Sequence, residues 1–124
     1  MSLIDDRALF RDSLAAALST VGDIKVKPAS SAEAGADLPA TLRGMHVVLI
    51  TMDRPDLTKG PCGAVLVRVL ALEARPAVAV IVGRISRALR REASRLGVDA
   101  LLTTENGLSA LAEDLRRLRA QARP

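Results

Sequence analysis

The stretch HVVLIT, residues 46–51, decides the fold prediction, because it is apolar at four consecutive positions after His46. A second run of the same kind, AVAVIV, occupies residues 77–82. A strand exposed on one face alternates apolar and polar residues, whereas a strand covered on both faces is apolar throughout. The two runs therefore predict central strands of a parallel sheet that has helices on both faces.

Shorter strands and amphipathic helices surround these two runs. Strands are predicted at 3–4, 24–27 and 99–103, and helical periodicity covers 7–20, 64–74, 85–96 and 108–118. A further helix begins at Ser30 or Ser31, and Gly35 and Pro39 make it short or irregular. Residues 52–63, rich in Pro and Gly, are predicted to form a loop. Five strands alternating with five helices predict a flavodoxin-like α/β fold, a (βα)5 three-layer sandwich with strand order 2-1-3-4-5.

Length and composition restrict the class of protein. The 124 residues, 49% of them hydrophobic, predict one domain over 1–124. The net charge of +4 permits nucleic-acid contact, but the basic residues are scattered and Phe10 is the only aromatic residue, so no direct nucleic-acid binding is expected. The single cysteine, Cys62, excludes an internal disulfide, and no apolar run is long enough to span a bilayer. We expect a cytoplasmic protein without membrane contact.

An acidic pair in LIDDR, residues 3–7, supplies the first candidate site. Two like charges repel unless a cation lies between them, and magnesium prefers such oxygen ligands. Arg7 and Arg54 are alternative partners for the pair. In a sheet of the predicted kind the functional crevice lies at the carboxyl ends of the strands. The residues predicted to meet there are Asp5, Asp6, Thr51, Val82 and Thr104.

The stretch DDRALFRDSL, residues 5–14, resembles the first strand-to-helix turn of bacterial response-regulator receiver domains of the NarL/FixJ, CheY-like type. The resemblance extends over the whole chain as five βα units. It implies a place in two-component signalling or a phosphorelay. In the family an acidic pair binds magnesium, and an aspartate at the end of the third strand accepts a phosphoryl group. A Ser or Thr ends the fourth strand, and a Lys follows the fifth.

The chain departs from that pattern at three of its four functional parts. HVVLITMDRP places Thr51 at the acceptor position, AVAVIV places Val82 at the hydroxyl position, and GVDALLTTE places Thr104 at the lysine position. The resemblance therefore predicts a degenerate receiver, or pseudo-receiver, with a weak or lost magnesium site at Asp5 and Asp6. Asp53 is an alternative phosphoacceptor, because strand side chains alternate with period two and Asp53 shares the parity of Thr51.

The fourth predicted helix carries a run of arginines, and acidic residues follow on the last helix. Such a run forms either a solvated face or an interface. Receivers often dimerise through the fourth helix, fifth strand and fifth helix, so the resemblance implies a homodimer. The candidate interface residues are Arg84, Arg87, Arg91, Arg95, Glu113 and Asp114. In NarL/FixJ-type proteins a linker and a helix-turn-helix domain follow near the position of the basic RRLRAQARP, so we expect a DNA-binding domain outside this chain, with a stand-alone receiver-like domain as the alternative.

These observations predict a non-catalytic regulatory module of a bacterial transcription regulator. We expect no enzyme activity and no cofactor, since P-loop, G-x-G-x-x-G, G-x-S-x-G and paired Cys/His motifs are absent from the sequence. The module would act without phosphorylation, by dimerisation, protein contact or ligand binding. Two alternatives remain. One is a functional phosphoreceiver that uses Asp53, and the other is a flavodoxin-like domain that binds a small molecule near Asp6, Thr51 and Thr104.

Overall fold

The sheet has the predicted topology. The computed structural model describes residues 1–21, 23–52 and 56–122. Five parallel strands lie in the order β2-β1-β3-β4-β5, which confirms the flavodoxin-like α/β fold. The strands are β1 (Ser2–Ile4), β2 (Lys27–Ala29), β3 (Val47–Met52), β4 (Ala77–Val82) and β5 (Ala100–Thr103).

The register brings the carboxyl ends of the strands to one edge. β3 and β4 pair over six residues, from Val47 opposite Ala77 to Met52 opposite Val82. Val82 lies opposite Thr103 of β5, and Ile4 of β1 lies opposite Ile50 of β3. The residues that follow these positions therefore gather at the same edge of the sheet.

The described residues contain six helices. They are α1 (Ala8–Ser19), α2 (Ser31–Ala36), α3 (Leu38–Leu42), α4 (Gly60–Leu70), α5 (Arg87–Leu96) and α6 (Leu108–Ala122). The second predicted helix is thus two short ones. Asp37 separates them, with φ −146° and ψ 80°, and its carboxylate caps α3 by accepting a hydrogen bond from the Ala40 amide at 3.2 Å.

Two other boundaries differ from the sequence prediction. Helix α4 begins at Gly60 inside the predicted loop, because Pro61 is tolerated in a first helical turn. Gly63 is required there, since a Cβ would lie 2.5 Å from the carbonyl carbon of Thr58. Strand β2 starts at Lys27, whereas the predicted strand covered residues 24–27. Ile24, which is 1% exposed, instead packs into the core ahead of the strand.

Alternating strand residues divide the core into two layers. Val47 and Leu49 belong to the apolar cluster that contains α1 and α6, whereas Val48 and Ile50 belong to the cluster that contains α2 to α5. This period of two is why both faces of β3 and β4 are apolar. Thr51 has the parity of Leu49, so it points toward the side of α1. No helix in the described ranges is long and apolar enough to span a membrane.

Candidate functional site

The carboxyl edge of the sheet holds two adjoining cavities. One, of about 390 Å³, is lined by Arg7, Thr51, Val82 and Thr104 among others. Its neighbour, of about 190 Å³, is lined by Asp5, Asp6, Arg7 and Thr51. The five residues predicted to meet at this edge do meet there, divided between the two cavities. Arg7, Thr51 and Met52 line both cavities, and Lys59 joins the two carboxylates in the smaller one.

Arg7 binds the first carboxylate of the acidic pair. Asp5 is 2% exposed, and the side chain of Arg7 is 45% exposed. The Arg7 Nε donates to Asp5 Oδ1 at 3.2 Å, and Nη2 donates to Oδ2 at 3.0 Å. The backbone amide of Arg7 also donates to Oδ1 at 2.8 Å. A bidentate, charge-assisted pair of this kind fixes the orientation of both groups.

The Arg7 guanidinium packs against the face of the Phe10 ring. The Arg7 Cζ lies 4.2 Å from the ring centroid of Phe10, within the range of a cation–π contact. Phe10 is one helical turn after Arg7, so the local sequence RALF itself produces this packing. The orientation of Arg7 is thus supported on two sides, by a carboxylate and by an aromatic face.

The second carboxylate of the pair serves a different element. The Ser31 amide donates to Asp6 Oδ1 at 2.7 Å, and the Ser31 hydroxyl donates to Oδ2 at 2.7 Å. Ser31 is the first residue of α2, so Asp6 ties β1 to that helix. Burial acts to raise the pKa of Asp6, but the hydrogen bonds from Ser31 and Cys62 outweigh it, and the pKa is lowered.

The described donors fit a magnesium ion poorly. Both oxygens of Asp5 accept from Arg7, and both oxygens of Asp6 accept from Ser31. Within 1–21, 23–52 and 56–122, no group of three His, Cys, Asp or Glu side chains could hold a metal ion. Magnesium favours near-octahedral oxygen ligation, and the hydrogen bonds to Asp5 and Asp6 already use most of the lone pairs of these two carboxylates. Asp53 and Arg54, the other residues considered for this site, lie outside the described residues.

Thr51, Val82 and Thr104 present a hydrogen-bonded hydroxyl, an apolar side chain and a backbone amide that pairs with β4. Thr51 is 3% exposed, and its hydroxyl donates across the sheet to the Ile4 carbonyl at 3.5 Å. Val82 is 4% exposed and ends β4 with no polar group on its side chain. The Thr104 amide donates to the Val82 carbonyl at 3.2 Å, which extends the pairing of β4 and β5. This edge therefore offers an oxyanion few donors from its strands.

Cys62 lies beside the acidic pair as a partly buried thiol. Its Sγ donates to Asp6 Oδ2 at 3.8 Å, and the residue is partly buried. Burial, with the nearby charges of Asp6 and Asp5, raises the pKa of the Cys62 thiol to about 11. Nucleophilic chemistry needs the thiolate, so this environment works against a catalytic or redox role.

Arg84 lies in the segment between β4 and α5, whereas the other predicted interface residues lie on α5 and α6, where several have partners in their own helix. Arg95 pairs with Glu92 one turn away at 2.8 Å. Arg117 pairs with Glu113 at 3.7 Å and with Asp114 at 3.4 Å. Arg84 lies 3.9 Å from Glu105. Arg87 and Arg91 are exposed and have no ion pair with any described residue. These contacts leave homodimerisation a prediction.

Sequence reasoning left the role of Arg7 open and missed Ser31 and Phe10 as site residues. The signal for Ser31 was present, since S-S-A-E at 30–33 predicts a capping box at a helix start, and Ser30 with Glu33 forms one. A helix start beside the acidic pair can supply amides to a carboxylate. What the sequence lacks is the pairing of β1 with β2, Ile4 opposite Ala29, which brings Ser31 to Asp6.

Comparisons with known proteins identify the fold. No protein-family model and no curated protein sequence matches the chain. Solved structures do match it. One is a DNA-binding response regulator of the LuxR family from Staphylococcus aureus, at 18% identity and a TM-score of 0.72, with 95% of this chain and 98% of that chain covered. Another is the signal receiver domain of the putative response regulator NarL from Mycobacterium tuberculosis, at 20% identity and a TM-score of 0.71, with 96% and 94% covered.

The same fold also occurs in a protein of a different description. A putative pilus assembly protein, cpaE, from Burkholderia thailandensis matches at 18% identity and a TM-score of 0.75, with 96% of each chain covered. At such identities the likeness concerns the fold, which several functions can share. The structural neighbours of this chain include response-regulator receiver domains, and the chain has their fold over nearly its whole length.

Proposed function

We propose that this chain is a receiver-like regulatory module that is not an enzyme and does not take a phosphoryl group from a histidine kinase. The bidentate pair between Arg7 and the buried carboxylate of Asp5 carries this proposal. In the family that the sequence resembles, the acidic pair holds the cation that phosphoryl transfer requires. Here a side chain of the protein itself neutralises Asp5.

A metal ion would have to displace Arg7 to reach this carboxylate. The displaced guanidinium would lose two charge-assisted hydrogen bonds and its place over Phe10. Magnesium also gives up its own hydration shell reluctantly. Both costs oppose metal binding, so the acidic pair is better explained as a structural feature that supports Arg7 and the start of α2.

The residues at the other three positions support the same proposal. Thr51 has no carboxylate, and its hydroxyl is engaged with the Ile4 carbonyl. Val82 cannot hydrogen-bond a phosphoryl oxygen, and Thr104 carries no positive charge. A phosphoryl acceptor needs a nucleophile and positive groups for the transferred oxygens. Among the described residues at this edge, the two carboxylates already accept hydrogen bonds from Arg7 and Ser31.

Signalling would then depend on contacts and not on phosphorylation. We propose that the module acts in a bacterial transcription regulator in the cytoplasm, through a homodimer that uses α5, β5 and α6 or through a protein contact. Arg87 and Arg91, which are exposed and have no ion pair within the described part of the chain, support such a surface. The resemblance to NarL/FixJ-type receivers supports a DNA-binding domain outside this chain, and the Staphylococcus aureus neighbour is itself described as DNA-binding.

The test is intact-mass spectrometry after incubation with acetyl phosphate and magnesium. We expect no added phosphoryl mass on the wild-type chain. The matched control is the triple variant Thr51→Asp, Val82→Thr, Thr104→Lys, which restores the family residues and reports whether this scaffold can be labelled at all. An adduct on the wild-type chain that hydroxylamine removes would be an acyl phosphate and would overturn the proposal. The variant Asp53→Asn would then show whether Asp53 is the acceptor.

A further inference from the structure

The larger cavity at the carboxyl edge has an unusual distribution of charge. Its lining contains two arginines, Arg7 and Arg84, and no carboxylate. The acids of this edge, Asp5 and Asp6, line the neighbouring cavity on the other side of Arg7. The smaller cavity also contains Lys59, and Arg7, Thr51 and Met52 line both cavities, so only the larger cavity has cationic side chains without a carboxylate in its lining.

The guanidinium of Arg7 keeps donors that Asp5 does not use. Five N–H groups project from a guanidinium in one plane. Asp5 accepts from Nε and from one N–H of Nη2. The two N–H groups of Nη1 and the second N–H of Nη2 have no acceptor among the described residues. Arg7 also lines the larger cavity, so these donors are available to a ligand there. A second anion can use this free edge while Asp5 stays bound.

Arg84 supplies the unbalanced positive charge. Its side chain is 84% exposed and has one weak ion pair, at 3.9 Å from Nε to Glu105. Because Asp5 neutralises Arg7, Arg84 gives the cavity its net attraction for an anion. It follows Gly83 directly after β4, where a Cβ at Gly83 would meet no atom within 4 Å. The space above the end of β4 is therefore open to a ligand.

The other walls are mostly apolar. Apolar side chains contribute much of the lining, and Thr51 and Thr104 are its two hydroxyl-bearing residues. The apolar lining residues are Phe10, Met52, Ile81, Val82 and Leu89. At about 390 Å³ the cavity falls within the range of small-molecule sites, which combine apolar walls with a few convergent polar groups.

We propose that this cavity binds a small organic anion, with its carboxylate or phosphate group between Arg7 and Arg84 and its apolar body against Phe10, Met52 and Leu89. This inference rests on the proposed function, since it names the signal that would replace phosphorylation at the same edge. The sequence predicted a ligand near Asp6, Thr51 and Thr104. We instead place it in the larger cavity, whose lining contains Thr51 and Thr104 but neither residue of the acidic pair. Thr104 remains a contact, and Asp6 does not.

The test is a titration of the ¹⁵N-labelled chain, followed by NMR, with benzoate and phenyl phosphate as anionic probes and benzamide as the neutral match. We expect saturable shifts at the amides of Met52, Gly83 and Thr104 with either anion, and at least a tenfold weaker response to benzamide. Arg84→Gln should weaken anion binding several-fold, and higher salt should do the same. Arg90→Gln removes an exposed arginine that does not line the cavity, and it should bind as wild type does.

Each departure from this pattern counts against the site. It is overturned if neither anion gives saturable shifts, if benzamide matches benzoate, or if Arg84→Gln and Arg90→Gln weaken binding equally. Failure here is separable from failure of the proposed function. If the chain gains no phosphoryl group and binds neither anion, the proposed function stands and only the ligand site is overturned. If the chain forms an acyl phosphate, the proposed function is overturned whatever the titration shows.

Discussion

The guanidinium of Arg7 binds both carboxylate oxygens of Asp5, at 3.2 and 3.0 Å, while its other edge borders a cavity of about 390 Å³. One side chain thus neutralises a buried acid and forms a wall of the candidate ligand site. The arrangement depends on an acid and a base two residues apart at a strand-to-helix turn. Phe10, one turn further on, supports the guanidinium at 4.2 Å.

Arg7→Ala tests whether this pair excludes magnesium. The substitution leaves Asp5, which is 2% exposed, as a buried charge without its partner. We expect a loss of about 1–3 kcal/mol of unfolding free energy, the range for an unsatisfied buried polar group. Magnesium should restore part of it, because the freed carboxylate lies beside Asp6. The measurement is thermal or urea unfolding with and without magnesium, against wild type, which should respond little.

The matched control for that experiment removes the freed charge as well. In the double variant Asp5→Asn, Arg7→Ala the buried site carries one acid fewer, so magnesium should no longer stabilise the chain. A wild-type chain that magnesium stabilises as strongly as it stabilises Arg7→Ala would contradict the structural role given to Arg7.

Ser31→Ala tests the second half of the acidic pair. The variant removes the 2.7 Å hydroxyl bond to Asp6 and keeps the amide bond. We expect a loss of about 1 kcal/mol, since one charge-assisted hydrogen bond disappears. The lowered pKa of Asp6 should rise toward its ordinary value, as followed by NMR of the carboxyl carbon. Ser86→Ala, which removes the cap of α5, is the control and should leave the pKa of Asp6 unchanged.

The fold could be predicted because its signal is local and repeated. Two apolar runs, of four residues at 47–50 and of six at 77–82, indicated the central strands, and the helical periodicities between the strands indicated crossovers. The weaker elements were placed less well, since β2 has only three residues and is partly exposed. Its position depends on pairing with β1, where Ser2 lies opposite Lys27, and no pattern within residues 24–29 encodes that partner.

The position of the candidate site could be predicted from the sequence, but the hydrogen-bond and ion-pair partners within it could not. The rule for parallel sheets located Asp5, Thr51, Val82 and Thr104 at one edge. The choice of Arg7 as the partner of Asp5 depends on a side-chain conformation, which sequence spacing does not determine. The placement of the Arg7 guanidinium, which lines both cavities, follows from that choice. For the same reason the ligand was predicted beside Asp6, where the described structure has a carboxylate that is already bound.

Cys62 should react slowly with alkylating reagents. Burial, together with Asp6 and Asp5, raises its pKa to about 11, so little thiolate exists near neutral pH. We expect iodoacetamide to react roughly tenfold or more slowly with the folded chain than with the urea-unfolded chain at the same pH. Asp6→Asn removes one raising charge and should speed the reaction. Equal rates for folded and unfolded chains would show that the thiol is neither buried nor influenced by the acidic pair.

The double variant Arg87→Glu, Arg91→Glu tests the homodimer. Sedimentation velocity of the wild-type chain should give twice the monomer mass of 13.1 kDa. Reversing two exposed charges on α5 should shift the equilibrium to monomer, because like charges would meet across the interface. Arg43→Glu, at an exposed position after α3, is the control and should stay dimeric. A monomeric wild-type chain at high concentration would make the dimer prediction wrong.

The pH dependence of stability should report a contact between Asp23, in the segment that joins α1 to β2, and helix α6. Arg116 Nε donates to Asp23 Oδ1 at 2.9 Å, and Arg119 Nη2 donates to Oδ2 at 2.8 Å. The hydrogen bonds from Arg116 and Arg119 lower the pKa of Asp23 to about 2. A depressed folded-state pKa means that the unfolded chain takes up the proton first on acidification. The contribution of Asp23 is therefore complete above its ordinary pKa of 3.8 and is lost as the pH falls toward about 2.

Asp23→Asn isolates this group from the other carboxylates. The variant keeps the shape of the side chain and removes its charge, so it should be less stable than wild type at neutral pH. The difference in unfolding free energy between the two chains should shrink as the pH falls below 4, because wild type then loses the same charge. Urea unfolding across that range measures the difference directly. A difference that stays constant with pH would mean that Arg116 and Arg119 do not bind Asp23 as a carboxylate in solution.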